Sequence, residues 1–180
     1  QELLVTHQTY SHVGRTYVSP FKRAVVDDEG TLRFGWWEAN EGLKGGELPP
    51  LEPSGGALSK ANRSVGLILE VAVKLPPADT ADTSQLPGFV IETTGGGAIV
   101  AAVSSTGLVT LATVANASAP ANATIVEWGT FDRNLDLVSG TIVTLRLLLR
   151  RDMLELYLND LLFPVYLIGS VPALPAPATT

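Results

Sequence analysis

The stretch "VTLRLLLRRDMLELYLNDLLF" (residues 143–163) decides the fold, because it has the pattern of two amphipathic strands joined by a charged turn. Residues two apart on a strand share a face. In the first arm the odd-numbered positions 143–149 are all Val or Leu, and in the second arm the even-numbered positions 154–158 are all Leu. The intervening positions mix charged, aromatic, amide and apolar side chains. An aliphatic face opposite a mixed face is typical of an antiparallel sheet with one face on the core. We therefore predict a core hairpin whose turn is formed by Arg150, Arg151 and Asp152.

The mixed faces of the two arms carry opposite charges. Arg146 lies on the first arm and Glu155 on the second, so the pattern predicts that the two side chains pair across the strands. Such a pair contributes only about a few tenths of a kcal/mol if it is exposed to solvent. The interpretation of this hairpin is structural, and we predict no catalytic residue in it.

Strand patterns recur along the chain, while helical periodicity is nearly absent. The stretch "KRAVVDDEGTLRFGWW" (22–37) predicts a hairpin in which Gly30 supplies the positive φ of the turn. Residues 1–40 are predicted as a β-hairpin segment, 41–63 as a Gly/Pro linker, 64–168 as a β-sandwich and 169–180 as a Pro-rich tail. The predicted fold class is all-β, a concanavalin-like antiparallel sandwich preceded by a short hairpin appendage.

Composition excludes several classes of function. The chain has 12 basic and 18 acidic side chains, a net charge of −6 and no basic stripe, which argues against nucleic acid and anionic membranes as partners. No run of 18 apolar residues is present, so no membrane-spanning segment is predicted. The absence of cysteine excludes disulfides, thiolate metal sites and cysteine nucleophiles.

Two features of the sequence predict that the chain has a partner. Charged residues make up 17% of the chain, against about 25% in an ordinary soluble domain, so part of the surface is expected to be covered. The chain begins at Gln1 and its one methionine is Met153, so we expect that a leader or a longer N-terminal region precedes Gln1 in the gene. We predict an interface with another β-rich chain or with a missing N-terminal domain. Its anchors are aromatic, namely Tyr17, Phe21, Phe34, and Trp36 or Trp37.

Candidate chemistry in the sequence is sparse. His7 and His12 are five residues apart, which on a strand places them on opposite faces, and no metal site or cofactor is predicted. No Gly-x-Ser-x-Gly elbow is present, and no catalytic residue is predicted. The best candidate for contact with a sugar is "GWWEAN" (35–40). It combines aromatic rings with polar partners for hydroxyl groups, and the predicted carbohydrate-binding residues are Trp36, Trp37, Glu38 and Asn40.

The C-terminal hairpin resembles a known family. The stretch "TLRLLLRRDMLELYLND" (144–160) is similar to a strand pair near the end of the C-terminal β-sandwich of glycoside hydrolase family 32, the invertase, levanase and inulinase enzymes. The matching positions are Leu145, Arg146, Glu155 and Asn159, and the departure is Arg150, where the family often has Asp. The stretch "YVSPFKRAVVDDEGTLRFGWWEANEGLKG" (17–45) resembles the last strands of that family's five-bladed propeller and the connection to the sandwich. Laminin-G-like and other concanavalin-type sandwiches share the same strand ending, so the resemblance supports the fold more broadly than the family.

The resemblance implies a function without catalysis in this chain. The catalytic motifs of family 32 lie in the propeller (Asn-Asp-Pro, Arg-Asp-Pro and Glu-Cys), and none of them occurs in this sequence. The resemblance therefore implies the non-catalytic C-terminal sandwich of a secreted glycosidase of the β-fructofuranosidase type, supporting a propeller on another chain or a removed segment. Two alternatives stay open: a stand-alone carbohydrate-binding or lectin-like module, and a structural glycoprotein subunit that polymerises through its β edges.

Three Asn-x-Ser/Thr sequons predict glycosylation and therefore secretion. They lie at Asn62, Asn116 and Asn122, and such sequons accept N-glycans on the surface loops of secreted proteins. We expect the intact mass of the native protein to fall after treatment with an N-glycosidase, with the glycans mapping to these asparagines. An unmodified mass in material from the native source would contradict the secretory assignment.

Overall fold

The protein is an antiparallel β-sandwich, as the sequence predicts. The computed structural model describes residues 2–10, 14–27, 30–48, 50, 65–77, 86–92, 98–104, 108–114, 125–132, 140–151 and 153–167. Within them the chain forms strands and one 3-10 helix, Glu38–Leu43. No helix in these ranges is long and apolar enough to cross a bilayer. The strands are β1 (Leu4–Val5), β2 (Gln8–Tyr10), β3 (Thr16–Val18), β4 (Lys22–Val26), β5 (Leu32–Trp36), β6 (Leu67–Lys74), β7 (Gly88–Glu92), β8 (Ala98–Val103), β9 (Leu108–Val114), β10 (Ile125–Asp132), β11 (Ile142–Arg150), β12 (Met153–Leu158) and β13 (Leu161–Leu167).

The described strands form three sheets. The large sheet has seven strands in the order β1-β4-β5-β13-β12-β11-β6, the small sheet has four in the order β10-β9-β8-β7, and β2 pairs with β3 alone. All of these pairings are antiparallel. One face of the large sheet packs on the small sheet, and the β2–β3 hairpin lies on the opposite face.

The hairpin at 143–163 forms the centre of the core. Its strands β11 and β12 pair with Leu147 opposite Leu156, and Arg151 occupies the turn with a φ of 53°. The aliphatic face predicted from the period of two is the inner face. The buried core consists of Leu75, Ile99, Ala101, Val103, Val109, Leu111, Val143, Leu145, Leu147, Leu149, Leu154, Leu156, Leu158 and Phe163.

The "ND" that ends the second arm is a tight turn into β13. Asn159 and Asp160 both have positive φ, 46° and 64°, which a two-residue type I′ hairpin requires and which Asn and Asp tolerate well. The Asn159 side chain accepts a hydrogen bond from the Thr144 backbone N–H at 3.0 Å, and the Asn159 N–H donates to the Thr144 carbonyl at 2.9 Å. The turn is therefore tied to β11 as well as to its own strands.

The N-terminal hairpin is part of the large sheet. Strands β4 and β5 pair as predicted, with Gly30 at a φ of 81° in their turn. Strand β5 then joins β13, because Gly35 pairs with Leu161 and the Trp36 N–H donates to the Asp160 carbonyl at 2.7 Å. The predicted linker begins with residues of the 3-10 helix, and most of its remainder lies outside the described residues, as does the predicted tail.

The packing of the hairpin predicts the effect of a charge in it. Leu156 is 1% exposed at the centre of the core, so Leu156→Asp buries a carboxylate without a partner and should lower the free energy of unfolding by about 3–5 kcal/mol. Ile142 begins β11 but is 70% exposed, so Ile142→Asp is the matched control and should change stability by less than about 0.5 kcal/mol. Urea unfolding of both variants makes the comparison. If Leu156→Asp does not fold, Leu156→Ala replaces it, with an expected loss of about 2–5 kcal/mol in the free energy of unfolding. Equal stability of the core variant and the control variant would show that the inner face is wrongly assigned.

Candidate functional site

Polar side chains are concentrated on the outer face of β11 and β12, which faces away from the small sheet. Arg146, Glu155 and Tyr157 project from this face, and all three are buried. The chain that buries them is the N-terminal segment, defined here as the described residues between 2 and 44. This interface contains a buried ion pair and several side-chain hydrogen bonds, and it is the candidate site.

Glu155 lies at the centre of the interface and has no exposed surface. Its Oε1 is 3.1 Å from Nζ of Lys22, which is 1% exposed, and its Oε2 accepts a hydrogen bond from the Tyr157 hydroxyl at 2.5 Å. Lys22 also donates to the Pro20 carbonyl at 3.1 Å. Burial acts to raise the pKa of Glu155, but contacts with His7, Lys22 and Tyr157 outweigh it and hold the pKa below its usual value. Glu155 is therefore a carboxylate at neutral pH.

The Tyr157 hydroxyl stays protonated beside this carboxylate. Burial, followed by the negative charge of Glu155, raises the pKa of Tyr157 far above its ordinary value. The phenol is thus a permanent hydrogen-bond donor to Glu155 and not an acid or base for chemistry near neutral pH.

A serine and a histidine lie beside the same carboxylate. His7 Nε2 is 3.3 Å from Glu155 Oε1 but is buried without a hydrogen bond of good geometry, and His7 Nδ1 is 3.2 Å from Ser19 Oγ. Serine, histidine and a carboxylate form the catalytic set of many hydrolases. Here Ser19 is 5% exposed, and its Oγ also lies within hydrogen-bonding distance of the Thr6 hydroxyl and the Pro20 carbonyl. These contacts enclose the hydroxyl, so the arrangement holds the interface together and does not present a nucleophile to a substrate.

Arg146 organises a second charged group next to the first. Its Nε donates to Glu70 at 2.5 Å, its Nη1 contacts Asp160, and its Nη2 is 3.7 Å from Glu41. Lys44 adds contacts to Glu41 at 2.5 Å and to Glu70 at 3.1 Å. The predicted pair between Arg146 and Glu155 is wrong, because the register places Arg146 opposite Tyr157, and each charge has other partners.

The predicted sugar-contact residues divide into enclosed and exposed ones. Trp36 is 5% exposed, and the Arg146 guanidinium lies 4.5 Å from its ring centroid. The Tyr157 ring packs edge-on against it, with the ring centroids 5.3 Å apart, and the Trp36 Nε1 donates a hydrogen bond to Glu41 at 2.8 Å. Asn40 is 1% exposed and donates to the Phe21 carbonyl at 2.7 Å, while its Oδ1 is buried without a partner. These two side chains fix the 3-10 helix and β5 onto the sheet.

Trp37 and Glu38 lie at the surface. Trp37 is half-buried, its ring contacts Phe21 edge-on at 6.1 Å, and its Nε1 donates to Glu2 at 3.3 Å. Glu38 is exposed. Of the four predicted residues, this pair alone is positioned where a soluble ligand can reach it.

The remaining predicted residues are the three glycosylation sites and the histidine pair. Asn62, Asn116 and Asn122 lie outside the described residues, and so does His12. Within the part of the chain that the structure describes, no group of three His, Asp or Glu side chains is arranged to hold a metal ion.

Sequence reasoning missed Lys22, His7 and Ser19. One signal was present, because a glutamate inside the apolar strand "MLELYL" (153–158) indicates a buried charge that needs a partner. Nothing local identifies that partner, since Lys22 is 133 residues away in the chain.

Comparison of the chain with protein-family models, with curated proteins and with solved structures finds no match.

The Lys22–Glu155 contact predicts a large asymmetry between two ion pairs. Lys22→Met leaves a buried carboxylate without its cation and should cost about 3–5 kcal/mol of unfolding free energy. Arg33→Met removes a more exposed pair, with Asp27 at 2.7 Å, and should cost less than about 1 kcal/mol. Urea unfolding measures both. The double variant Lys22→Met/Glu155→Gln should recover part of the loss, and additive losses in the double variant would contradict a direct coupling.

Proposed function

We propose that the chain is the non-catalytic β-sandwich part of a secreted, family 32-like glycosidase, and that residues 2–44 bind the catalytic propeller. The proposal rests on the resemblance of residues 17–45 and 144–160 to that family and on one structural observation. Large apolar side chains that remain exposed are concentrated in the N-terminal segment. Those exposed by at least half are Leu3, Tyr10, Val18, Phe21, Val26, Leu32 and Leu43, against Val65, Val90 and Ile142 in the rest of the described chain.

The N-terminal segment is suited to join two domains because it contains both buried and exposed contact residues. Lys22, Tyr17 and Trp36 are buried and fix the segment to the sandwich. Other residues of the segment are exposed apolar groups, and apolar groups clustered on a folded surface mark sites of association. The residues that resemble the propeller-to-sandwich connection thus contact the sandwich and still offer apolar groups to a partner.

The carboxylates that form ion pairs in the described chain argue against catalysis by it. Glycoside hydrolysis requires two carboxyl groups that flank the scissile bond. Glu155, Glu70, Glu41, Asp160 and Asp27 each lie against a cation of the same chain. Carboxylates held in this way support the fold, and the proposal assigns hydrolysis to the partner.

The test is the assembly of the protein in its native source. A tagged chain should co-purify in a one-to-one ratio with a polypeptide bearing the family 32 propeller motifs, and only the assembly should hydrolyse sucrose or fructan. Phe21→Ser and Leu32→Ser should lower recovery of the partner at least about tenfold, because each removes an apolar group from the proposed interface. Val90→Ser and Ile142→Ser are the matched controls on exposed residues elsewhere and should leave recovery unchanged.

Two outcomes would overturn the proposal. One is a monomer of about 19 kDa plus glycans in native material, measured by light scattering. The other is hydrolysis by the purified chain alone that is abolished by changing one of its carboxylates.

A second candidate function is a stand-alone carbohydrate-binding module, and the position of the half-buried Trp37 at the surface favours it. An indole face with a carboxylate nearby is a common sugar contact, since the ring packs on the sugar and the carboxylate accepts its hydroxyls. This alternative requires the purified chain to bind an oligosaccharide on a glycan array and to lose binding in Trp37→Ala. Binding that is unchanged by Trp37→Ala, or no binding at all, would dismiss it.

A further inference from the structure

A covalent bond between the N-terminal segment and the sandwich is open to this chain without cysteine. No disulfide can form, because the sequence has no cysteine. A lysine and a glutamate that are buried together offer an amide instead. Lys22 and Glu155 lie 133 residues apart in the chain, and their side chains meet almost fully enclosed. We propose that Lys22 Nζ condenses with the carboxyl group of Glu155 after folding, so that the ion pair is the precursor of an amide cross-link.

The two reacting groups are held close together. Lys22 Nζ is 3.1 Å from Glu155 Oε1, which is bonded to the carbon that the amine attacks. The same Nζ donates to the Pro20 carbonyl, and strands β4 and β12 belong to one sheet. Well-oriented groups react as if present at effective concentrations of about 10⁵–10⁸ M. Fixed placement therefore favours a condensation that a free amine and a free acid do not complete in water.

Burial favours the uncharged forms that the reaction needs. An amine attacks only when it is neutral, and burial lowers the pKa of Lys22 although the charge of Glu155 opposes this. Glu155 is mainly a carboxylate, so the reactive species is the minor one in which a proton has passed from Nζ to Oε1. The amide product is neutral, and its formation removes two buried charges whose desolvation is costly.

Two neighbouring side chains supply the catalysis. The neutral Nζ adds to Cδ of the protonated carboxyl group, and the Tyr157 hydroxyl, 2.5 Å from Oε2, stabilises the negative charge that develops on that oxygen. The nitrogen then gives up a proton, and Oε1 accepts one and leaves as water. His7 Nε2 carries this proton, since it lies 3.3 Å from Oε1 and makes no hydrogen bond elsewhere. The products are one amide and one water molecule.

A second contact between lysine and glutamate is an internal control. Lys44 Nζ is also 3.1 Å from Glu70, but these side chains are 28% and 38% exposed, against 1% and 0% for Lys22 and Glu155. Partial burial acts to lower the pKa of Lys44, but its contacts with Glu41 and Glu70 outweigh it and hold the pKa above its usual value. Lys44 therefore remains a cation, and no amide is expected at this pair.

Intact-mass measurement of the denatured full chain tests the cross-link. Chain from a bacterial host that adds no N-glycans should lose the mass of one water molecule after folding, while chain kept in urea should retain its full mass. Trypsin should then release a branched peptide that joins the sequences around Lys22 and Glu155, because trypsin does not cut at an acylated lysine. Peptides that carry Lys44 and Glu70 should be unmodified. Cyclisation of Gln1 removes ammonia and is distinguished by its mass.

Variants separate the chemistry from the fold. Lys22→Arg keeps the cation but has no amine that becomes neutral near pH 7, so it should keep its full mass. Lys44→Arg is the matched control and should lose water at the rate of the parent chain. His7→Gln and Tyr157→Phe keep the reacting pair and should slow the loss of water at least about tenfold. Circular dichroism checks that each variant is folded, and unchanged rates in folded His7→Gln and Tyr157→Phe would refute their assigned roles.

Three results would overturn the proposal, and none of them depends on a variant. The first is a folded parent chain whose mass, after prolonged incubation, is still that of its full sequence. The second is a loss of water that does not map to Lys22 and Glu155. The third is equal linkage of Lys44 to Glu70, which would show that contact without burial is sufficient. The cross-link lies within one chain and is independent of the proposed function, so either can fail without the other.

Discussion

The position of the N-terminal segment depends on one carboxylate. This is the carboxylate of Glu155, which lies buried in the middle of the outer face of the large sheet. A charge removed from water is costly unless it is paired and hydrogen-bonded. Strand β12 could therefore not be covered by an apolar layer. The N-terminal segment meets the requirement because it brings Lys22 and His7 to one oxygen, while Tyr157 from β12 itself donates to the other. The contact of Lys22 with Glu155 fixes the position of β4 on the sheet. The pairing of β4 with β5 then places the Trp36 ring against Arg146 and Tyr157.

The second charged group continues this logic toward the edge of the sheet. Arg146 joins β11 to Glu70 on β6, to Asp160 in the β12–β13 turn and to Glu41 on the 3-10 helix. Buried ion pairs contribute less to net stability than apolar packing does, yet they strongly disfavour arrangements that leave one partner alone. We infer that the two groups select the position of the N-terminal segment, while the aliphatic core between the large sheet and the small sheet supplies most of the stability.

The parts of the fold that follow from local pattern could be predicted from the sequence. The period of two at 143–158 gave the inner face of the central hairpin, and Gly30 marked the turn between β4 and β5. The partner of Glu155 was not predictable, because no local signal connects residues 22 and 155. The prediction that Arg146 pairs with Glu155 was wrong for a related reason. Strand periodicity assigns a face to each side chain, but the register decides which side chains meet, and here Arg146 lies opposite Tyr157. The sequence does not distinguish the two adjacent tryptophans, and only the contact with Arg146 shows that the enclosed ring is Trp36.

The pairing of the first strands with the last ones has a consequence for the order in which the chain folds. Residues 4–36 leave the ribosome before the C-terminal strands, but the sheet that receives them is complete only when β13, Leu161–Leu167, has been made. Long-range antiparallel pairing of this kind closes slowly, because a long loop must be ordered before its contacts form. Until then Tyr17 and Trp36 have no apolar surface to cover them and Lys22 has no carboxylate, so the nascent segment is open to chaperones and to other unpaired strands. The docking of residues 4–36 into the complete sheet thus has to wait for the synthesis of β13.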